Sequence, residues 1–321
     1  MNARVHGLGP LERWLDDDDV IEVLVNAGSE IWIERRGAAG TQYVGRLAVG
    51  ATEAMLEHAL SPVGRRIDRS SPIVDARLPD GSRLCAVLPP VSLDGPCLAV
   101  RKFSRLPIGL PSFASPSVTA LLHEIVDRRC NVLVSGATSS GKTTLLNALA
   151  AVVGTDERII TLEDTAELGL ASAHVLRLET RPATPDGVAA VTMGDIVRAA
   201  LRLRPDRLVV GEIRGDEATD LVQALNTGHD GSLATVHANG PVDALARIES
   251  LVVRSNPGWA LGAVREQVHR STDIVVHVAR AADGTRAVTH VCEVLSSDTR
   301  QRVAPLADAF GIVGELTRGR R

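Results

Sequence analysis

The segment Asn131-Val-Leu-Val-Ser-Gly-Ala-Thr-Ser-Ser-Gly-Lys-Thr-Thr144 decides how the rest of the chain is interpreted. Val132, Leu133 and Val134 form a short apolar run typical of a buried strand, and apolar residues from Leu145 onward recur at helical spacing. Between them, residues 136–143 fit Gly-x-x-x-x-Gly-Lys-[Ser/Thr] at every fixed position. The segment therefore predicts a strand, a phosphate-binding loop and a helix, in that order.

The loop predicts which residues hold a nucleotide. Backbone N–H groups of such a loop and the positive end of the following helix form an anion site. We expect Lys142 to reach the β- and γ-phosphate oxygens of ATP and the Thr143 hydroxyl to bind Mg²⁺. The alternative, a chance match in a Gly/Ser-rich turn, does not explain the flanking strand and helix. The predicted nucleotide-binding residues are Gly136, Ala137, Thr138, Ser139, Ser140, Gly141, Lys142, Thr143 and Thr144.

The basic residues of the chain are almost all arginine. Lys102 and Lys142 are the two lysines among 35 basic residues. The compact lysine ammonium and the planar arginine fork are not interchangeable at a phosphate site. A lysine at position 142 in so lysine-poor a chain therefore supports the phosphate-loop interpretation.

Composition limits the classes of function. A chain of 321 residues has room for about two domains with their own cores. The net charge of −4 provides no basic field to hold a nucleic-acid backbone, and an aromatic content of 2% provides few surfaces for base stacking. Nucleic acid is therefore disfavoured as a tightly bound partner.

Cysteine usage and hydropathy predict the compartment. Cys85, Cys97, Cys130 and Cys292 have neither metal-ligand spacing nor the density of a disulfide scaffold, which is typical of a reducing compartment. The N-terminal region is acidic where a signal peptide would be basic and then apolar, and no window reaches the roughly 18 apolar residues of a membrane span. We expect a cytoplasmic protein whose membrane contact is peripheral.

Periodicity predicts two domains of different class. Residues 1–104 carry strand patterns at 20–25, 30–35, 73–78, 82–88 and 97–103 and a helix at 52–60, an α+β arrangement. Residues 105–117 are rich in Pro and Gly and are predicted to be a linker. In residues 118–321, strands at 158–162, 175–178, 207–210 and 232–236 are interspersed with helices at 195–203 and 216–226, and a hairpin spans 273–294. This order predicts an α/β domain with a mostly parallel sheet.

Carboxylates at two predicted strand ends are candidates for the metal shell and the general base. The strand in Leu208-Val-Val-Gly-Glu-Ile-Arg214 carries Gly211 where many phosphate-loop enzymes have the metal-binding Asp, and Glu212 follows. Glu163 and Asp164 end another strand, at the edge of the sheet where α/β proteins bind ligands. Glu163, Asp164 and Glu212 are therefore predicted to share metal binding and catalysis. Which of them is the base stays open.

His229 and His237 flank a short predicted strand. No cysteine or carboxylate lies at zinc-ligand spacing from them, which disfavours a metal site. Two interpretations remain. They are ordinary hydrogen-bonded histidines, or they sense the γ-phosphate and transmit its loss to the next element.

Four motifs in this order resemble the secretion, or traffic, ATPases. They are the phosphate loop, Leu162-Glu-Asp-Thr-Ala-Glu-Leu168, the run from Leu201 into Gly-Glu-Ile-Arg-Gly, and the His229–His237 region. The chain is most similar to the Tad/Flp pilus and type IV secretion branch, which Ser70-Ser-Pro-Ile-Val-Asp-Ala-Arg-Leu-Pro-Asp-Gly-Ser-Arg83 and Val100-Arg-Lys-Phe103 also resemble.

The resemblance implies a RecA-like C-terminal domain, a homohexameric ring, and Mg-ATP hydrolysis that drives a pilus or secretion machine through inner-membrane platform proteins. It also implies that N-terminal arginines surround the phosphates. Arg83 and Arg101 match those motif positions, and Arg77 is a lesser candidate. The alternative is that these arginines are surface charge.

The chain departs from the family pattern in two places. Ala137 and Ser139 stand where the family often has glycine, and the tetracysteine zinc motif of some type II pilus ATPases is absent from the sequence. Two alternative functions remain: a DNA-translocating ATPase of the conjugation type, and a nucleotide-dependent scaffold that regulates septum or envelope assembly.

Overall fold

A computed structural model describes residues 7–38, 40–103, 108–170, 174–183, 187–281, 283–296 and 301–319. The chain divides into two compact units, Met1–Leu106 and Pro107–Arg321.

The first unit is built on a six-stranded antiparallel sheet. Its strands are β1 (Val20–Asn26), β2 (Glu30–Arg35), β3 (Thr41–Arg46), β4 (Ile73–Arg77), β5 (Arg83–Val87) and β6 (Cys97–Arg101), and its helices are α1 (Glu12–Leu15) and α2 (Ala51–Leu60). The strand order is β3-β2-β1-β6-β5-β4. Buried and accessible residues alternate along β4, β5 and β6, so one face packs into the core and the other faces solvent.

The second unit is built on a nine-stranded mixed sheet. Its elements are α3 (Pro116–Asp127), β7 (Val132–Gly136), α4 (Lys142–Ala150), β8 (Ile159–Glu163), β9 (Val175–Glu179), α5 (Met193–Leu201), β10 (Arg207–Ile213), α6 (Glu217–Asn226), β11 (Leu233–His237), α7 (Pro241–Ser255), α8 (Leu261–Ser271), β12 (Ile274–Arg280), β13 (Arg286–Val294), β14 (Val303–Asp308) and β15 (Gly311–Ile312). The order is β15-β14-β13-β12-β7-β11-β10-β8-β9. The six strands from β12 to β9 are parallel, and the other three are antiparallel.

Helices cover both faces of this sheet. Leu122 of α3 and Leu145 of α4 share one apolar cluster with Val134 and Val276, whereas helices α5 to α8 share a second cluster with Leu133 and other strand residues. Every residue of β7 and β8 is buried, as parallel strands between two helical layers require. The predicted α/β class with a mostly parallel sheet is confirmed.

Several elements differ from the sequence-based expectation. β3 was not predicted because its residues are polar and mostly exposed. Helices α7 and α8 were not predicted. Strands β14 and β15 near the C-terminus were not predicted either.

The segment predicted as a linker lies partly outside the described residues, which omit 104–107. Leu110 and Phe113, in its second half, are buried in the core of the second unit. The division at 1–104, 105–117 and 118–321 stays a prediction. No helix among the described residues is long and apolar enough to cross a membrane.

Candidate functional site

The predicted phosphate loop joins β7 to α4 at the carboxyl end of the central strand. Gly141 precedes the helix with φ +100°, and Ser139 has φ +61°, so two of the five loop residues occupy the left-handed region. Gly136 is closely surrounded: a Cβ there would lie 2.4 Å from both Ser140 Oγ and the Val278 backbone oxygen. The two glycines are therefore required by backbone conformation and close packing.

Lys142 is the first residue of α4 and is 9% exposed. Its Nζ donates a hydrogen bond to the Ala137 carbonyl oxygen at 2.9 Å, across the loop. Burial lowers the pKa of Lys142, and the negative charge of Glu212 opposes this shift. An anion beside the loop would strengthen the charged form, because it adds an opposite charge to a partly desolvated ammonium.

The loop residues fit a phosphate chain. Ser140 is 2% exposed, and its buried Oγ has no hydrogen-bond partner among the residues that the structure describes. Thr143 and Thr144 are half-buried in the first turn of α4, where backbone N–H groups lack helical partners. Ala137, Thr138 and Ser139 are exposed on the loop.

Strands β8 and β10 bring two of the predicted carboxylates to the same edge of the sheet. They pair in parallel, with Val210 opposite Leu162, so Gly211 and Glu212 lie beside the end of β8. A Cβ at Gly211 would lie 3.1 Å from Glu163 Cγ. Glycine at position 211 therefore makes room for the Glu163 side chain.

Glu163 is a buried carboxylate that organises the following loop. Its Oε1 accepts hydrogen bonds from the backbone N–H groups of Glu167 at 2.8 Å and Leu168 at 2.9 Å, whereas its buried Oε2 has no hydrogen-bond partner within the described part of the chain. Burial raises the pKa of Glu163, and the two backbone hydrogen bonds oppose this shift. Glu163 thus supports the following loop through its Oε1.

Arg214 connects the other two predicted carboxylates. Its Nη2 donates to Glu212 Oε2 at 2.5 Å, and its Nη1 lies 3.8 Å from Asp164 Oδ2. Burial raises the pKa of Asp164, and the charge of Arg214 opposes the increase. Arg214 was not predicted as a site residue, although it follows Glu212 by two positions in the Leu208–Arg214 motif.

The structure separates the two predicted histidines. His237 ends β11 directly beside Gly136 of β7 and is exposed. His229 precedes β11, and its Nδ1 lies 3.1 Å from the Ala224 carbonyl oxygen. A five-residue strand spans roughly 16 Å, so His229 lies at the opposite edge of this sheet from the phosphate loop. Within this unit, His237 adjoins the loop and His229 does not.

A third histidine near the loop was missed by sequence reasoning. His277 on β12 is 9% exposed, and its Nδ1 lies 2.9 Å from Ser135 Oγ on β7. Burial lowers the pKa of His277; the positive charges of His290 and Lys142 add to the shift, and Asp243 opposes it. No local pattern predicts this contact, because it depends on β12 pairing with a strand about 142 residues earlier in the chain.

The predicted N-terminal arginines lie side by side in the first unit. Arg77 is opposite Arg83 on neighbouring strands, and Arg83 is opposite Arg101. Arg101 also lies 3.5 Å from Glu22 Oε1. The row lies on the accessible face of the sheet, away from the core.

The described residues contain no group of three or more His, Cys, Asp or Glu side chains arranged to hold a metal ion. Mg²⁺ in nucleotide enzymes is held by one or two side chains together with phosphate oxygens and water. The hydroxyl of Thr143 with Glu163, Asp164 or Glu212 is a donor set of that kind.

The chain is similar in sequence to known proteins over most of its length. Rv3659c of Mycobacterium tuberculosis is 36% identical over 311 residues, which cover 94% of this chain and 88% of that protein. The conjugal transfer protein TrbB of Rhizobium radiobacter is 32% identical over 288 residues, covering 86% of this chain and 85% of TrbB.

A solved structure is similar over most of the chain. The VirB11 ATPase from the Brucella suis type IV secretion system is 28% identical with a TM-score of 0.50, and the match covers 89% of this chain and 93% of VirB11. Residues 4–309 match the profile of the type II/IV secretion system protein family. The chain therefore belongs to the type II/IV secretion system protein family, as its motifs predicted.

Proposed function

We propose that this protein hydrolyses Mg-ATP and is the motor of a secretion or pilus-assembly machine. One observation carries the proposal: a phosphate loop with a buried Lys142 lies at the same sheet edge as Glu163 and Glu212. The arrangement supports a RecA-like nucleotide-binding domain. Carboxylates beside such a loop fit hydrolysis better than storage of a nucleotide, because attack by water needs a base and a metal shell.

Each residue has a proposed role. The loop backbone and Lys142 bind the β- and γ-phosphates, and Thr143 positions its hydroxyl toward the metal. Mg²⁺, when bound, neutralises charge on the phosphate oxygens. Glu212 is the proposed general base because its carboxylate is half-buried, whereas Glu163 is nearly fully buried and partly committed to the loop. Asp164 orients this set through Arg214, and His237 is the histidine placed to respond to the γ-phosphate.

Arg83 and Arg101 are proposed to provide positive charge to the phosphates, with Arg77 beside them. We further propose that the protein forms a homohexamer, that it is cytoplasmic, and that it contacts inner-membrane platform proteins peripherally. Assembly of a Tad/Flp-type pilus or of a type II/IV secretion machine is the proposed output of the motor.

The experiment is steady-state phosphate release by the purified full-length chain with Mg-ATP, compared with the same protein in excess EDTA and with Lys142→Ala. We expect turnover in the first reaction and none in the other two. Equal release by wild type and Lys142→Ala would overturn the proposal. Light scattering with and without ATP tests the hexamer independently.

The name of TrbB favours a second candidate, an ATPase that works in conjugal DNA transfer. The discriminating measurement is turnover with and without single- or double-stranded DNA. The net charge of −4 argues against strong stimulation by DNA. A scaffold that only binds nucleotide in septum or envelope assembly, the third candidate, would show no steady-state phosphate release.

A further inference from the structure

Glu217 is a buried carboxylate at the start of α6 that has no role in the function proposed above. It is the first residue of the helix and is 8% exposed. Its Oε1 accepts two hydrogen bonds, from the backbone N–H of Arg214 at 2.6 Å and from that of Gly215 at 2.8 Å. Hydrogen bonds to a carboxylate are stronger than those between neutral groups. Glu217 therefore holds the segment of chain between β10 and α6.

The two hydrogen bonds of Glu217 do not cap the helix. In a helix cap, the N-cap side chain accepts from N–H groups of the first turn, or an acidic third residue reaches back to the N-cap N–H. Glu217 instead binds the N–H groups of the two residues that precede the N-cap residue, Asp216. Asp216 accepts a hydrogen bond from Ser255 Oγ of α7 at 2.8 Å. The Glu217 side chain thus stabilises the loop that precedes α6 and not the first turn of α6.

The loop held by Glu217 carries Arg214, which connects two carboxylates of the candidate site. Nη2 of Arg214 donates to Glu212 Oε2 at 2.5 Å, and its Nη1 lies 3.8 Å from Asp164 Oδ2. The Arg214 side chain is 60% exposed, so packing restrains it little. Its direction therefore depends on the backbone from which it extends. Buried Ile213, at the end of β10, fixes that backbone on one side, and Glu217 fixes it on the other.

Gly215 allows the Glu217 carboxylate to approach the loop closely. A Cβ at Gly215 would lie 3.1 Å from Glu217 Oε2. An added methyl group at this position would therefore push the carboxylate away from the backbone that it binds. Gly215 thus offers a second way to disturb the contact, without changing Glu217 itself.

We propose that Glu217 is a positioning residue for ATP hydrolysis: it fixes the backbone of Arg214, and Arg214 orients Glu212 and Asp164. This inference rests on the proposed function, because it needs Glu212 to act in turnover. It adds to that function a requirement that the corner between β10 and α6 be rigid. A displacement of about 1 Å at a reacting group can lower the rate by ~10²-fold.

The test is steady-state phosphate release by the full-length protein with Mg-ATP, together with a fluorescence titration with N-methylanthraniloyl-ADP. Glu217→Ala should lower kcat about ten- to a hundredfold and leave affinity for the fluorescent nucleotide within about twofold of wild type. Glu217→Gln should recover most of the activity, because the glutamine carbonyl oxygen can accept the same two hydrogen bonds. Gly215→Ala should lower kcat, because it displaces the carboxylate.

Asp195→Ala is the matched control. Asp195 lies in the first turn of α5, and its Oδ2 accepts a hydrogen bond from the Thr192 N–H at 2.9 Å. This variant therefore also removes a carboxylate that binds the backbone at the start of a helix. It should lower the melting temperature, as Glu217→Ala should, and leave kcat unchanged. All assays are run well below the melting temperature of each variant.

The outcomes separate this inference from the proposed function. If wild type hydrolyses ATP and Glu217→Ala keeps kcat within about twofold of it, the inference alone is overturned. Equal losses of kcat in Glu217→Ala and Glu217→Gln, or in Glu217→Ala and Asp195→Ala, also overturn it, because the backbone hydrogen bonds of Glu217 are then not the cause. Should Glu217→Ala not fold, wild-type kcat in Gly215→Ala overturns the inference. If wild type releases no phosphate, the proposed function is overturned and the inference with it.

Discussion

Arg83 lies directly opposite Arg101 on neighbouring antiparallel strands of the first unit, and Arg77 lies on its other side. On the other side of Arg101 lies Glu22, which is opposite it on β1 with its Oε1 3.5 Å from Arg101 Nη2. The proposed role of these arginines toward phosphate uses the positive charge of the row.

If Arg83 or Arg101 stabilises the transition state, its replacement by alanine should lower kcat by a factor approaching ~10³. The measurement is phosphate release at saturating ATP. Arg46→Ala, on the exposed strand β3 of the same unit, is the control. A loss smaller than about tenfold, with a raised KM, would mean that the arginine contributes to binding only.

Replacement of Lys142 should abolish turnover even when the charge is kept. We expect both Lys142→Ala and Lys142→Arg to lack phosphate release, because the buried site accepts a compact ammonium and not a planar fork. The melting temperature of Lys142→Ala without nucleotide should not fall, since burial lowers the lysine pKa and disfavours the charged form. Full activity in Lys142→Arg would contradict this assignment.

The two glutamates should respond differently to removal of their charge. Glu212→Gln should lower kcat by ~10²–10⁴ and leave nucleotide bound, as expected for loss of a general base. Glu163→Ala should also lower the melting temperature, because it removes the oxygen that accepts hydrogen bonds from the N–H groups of residues 167 and 168. Glu266→Gln on α8 is an exposed control. Normal turnover in Glu212→Gln would transfer the role of base to Glu163 or Asp164.

Gly136 is a position where one methyl group should be harmful. Gly136→Ala places a Cβ 2.4 Å from the Val278 oxygen and Ser140 Oγ, and we expect a loss of about 1–3 kcal/mol in unfolding free energy. Gly262→Ala is the matched control, because no atom lies within 4 Å of a Cβ there and α8 should gain up to about 1 kcal/mol. Urea denaturation measures both. Equal stability of the two variants would show that the loop backbone shifts to accommodate the added Cβ at Gly136 without loss of stability.

His277 should make stability depend on pH. Its folded pKa lies below the ordinary value of about 6.5, so the unfolded chain binds the proton more readily. The corresponding stability is fully present above about pH 6.5 and is lost as the pH falls toward the folded pKa. The melting temperature between about pH 8 and pH 5.5 should fall less steeply in His277→Gln than in wild type. His58→Gln, exposed on α2, should keep the wild-type slope.

The elements with a strong local pattern were predicted, and those made by tertiary pairing were not. The phosphate loop was predictable because its strand, glycines and helix are contiguous. β15 has two residues and exists only through its pairing with β14. Helix α7 was not predicted, although Ala244, Leu245, Ile248 and Leu251 recur at the spacing typical of a helix.

The candidate site also contains residues that local sequence patterns predicted and contacts that they did not. Lys142 was predicted from the phosphate-loop motif, and Glu163 and Glu212 were predicted from strand ends; the structure brings the three to one edge of the sheet. The distance between His229 and His237 follows from the strand between them, which carries its two ends to opposite edges of the sheet. The contacts of Arg214 and His277 depend on side-chain rotamers and on strand pairing, which residue spacing does not specify.

The enclosure of Lys142 also makes it a chemical reporter. Lys102 is the other lysine of the chain, and its Nζ donates to the Asp17 carbonyl oxygen in the first unit. Acylation by an amine-reactive ester would therefore modify two side-chain amines at most, in different halves of the protein. Peptide mapping could then follow the accessibility of the phosphate loop without any mutation.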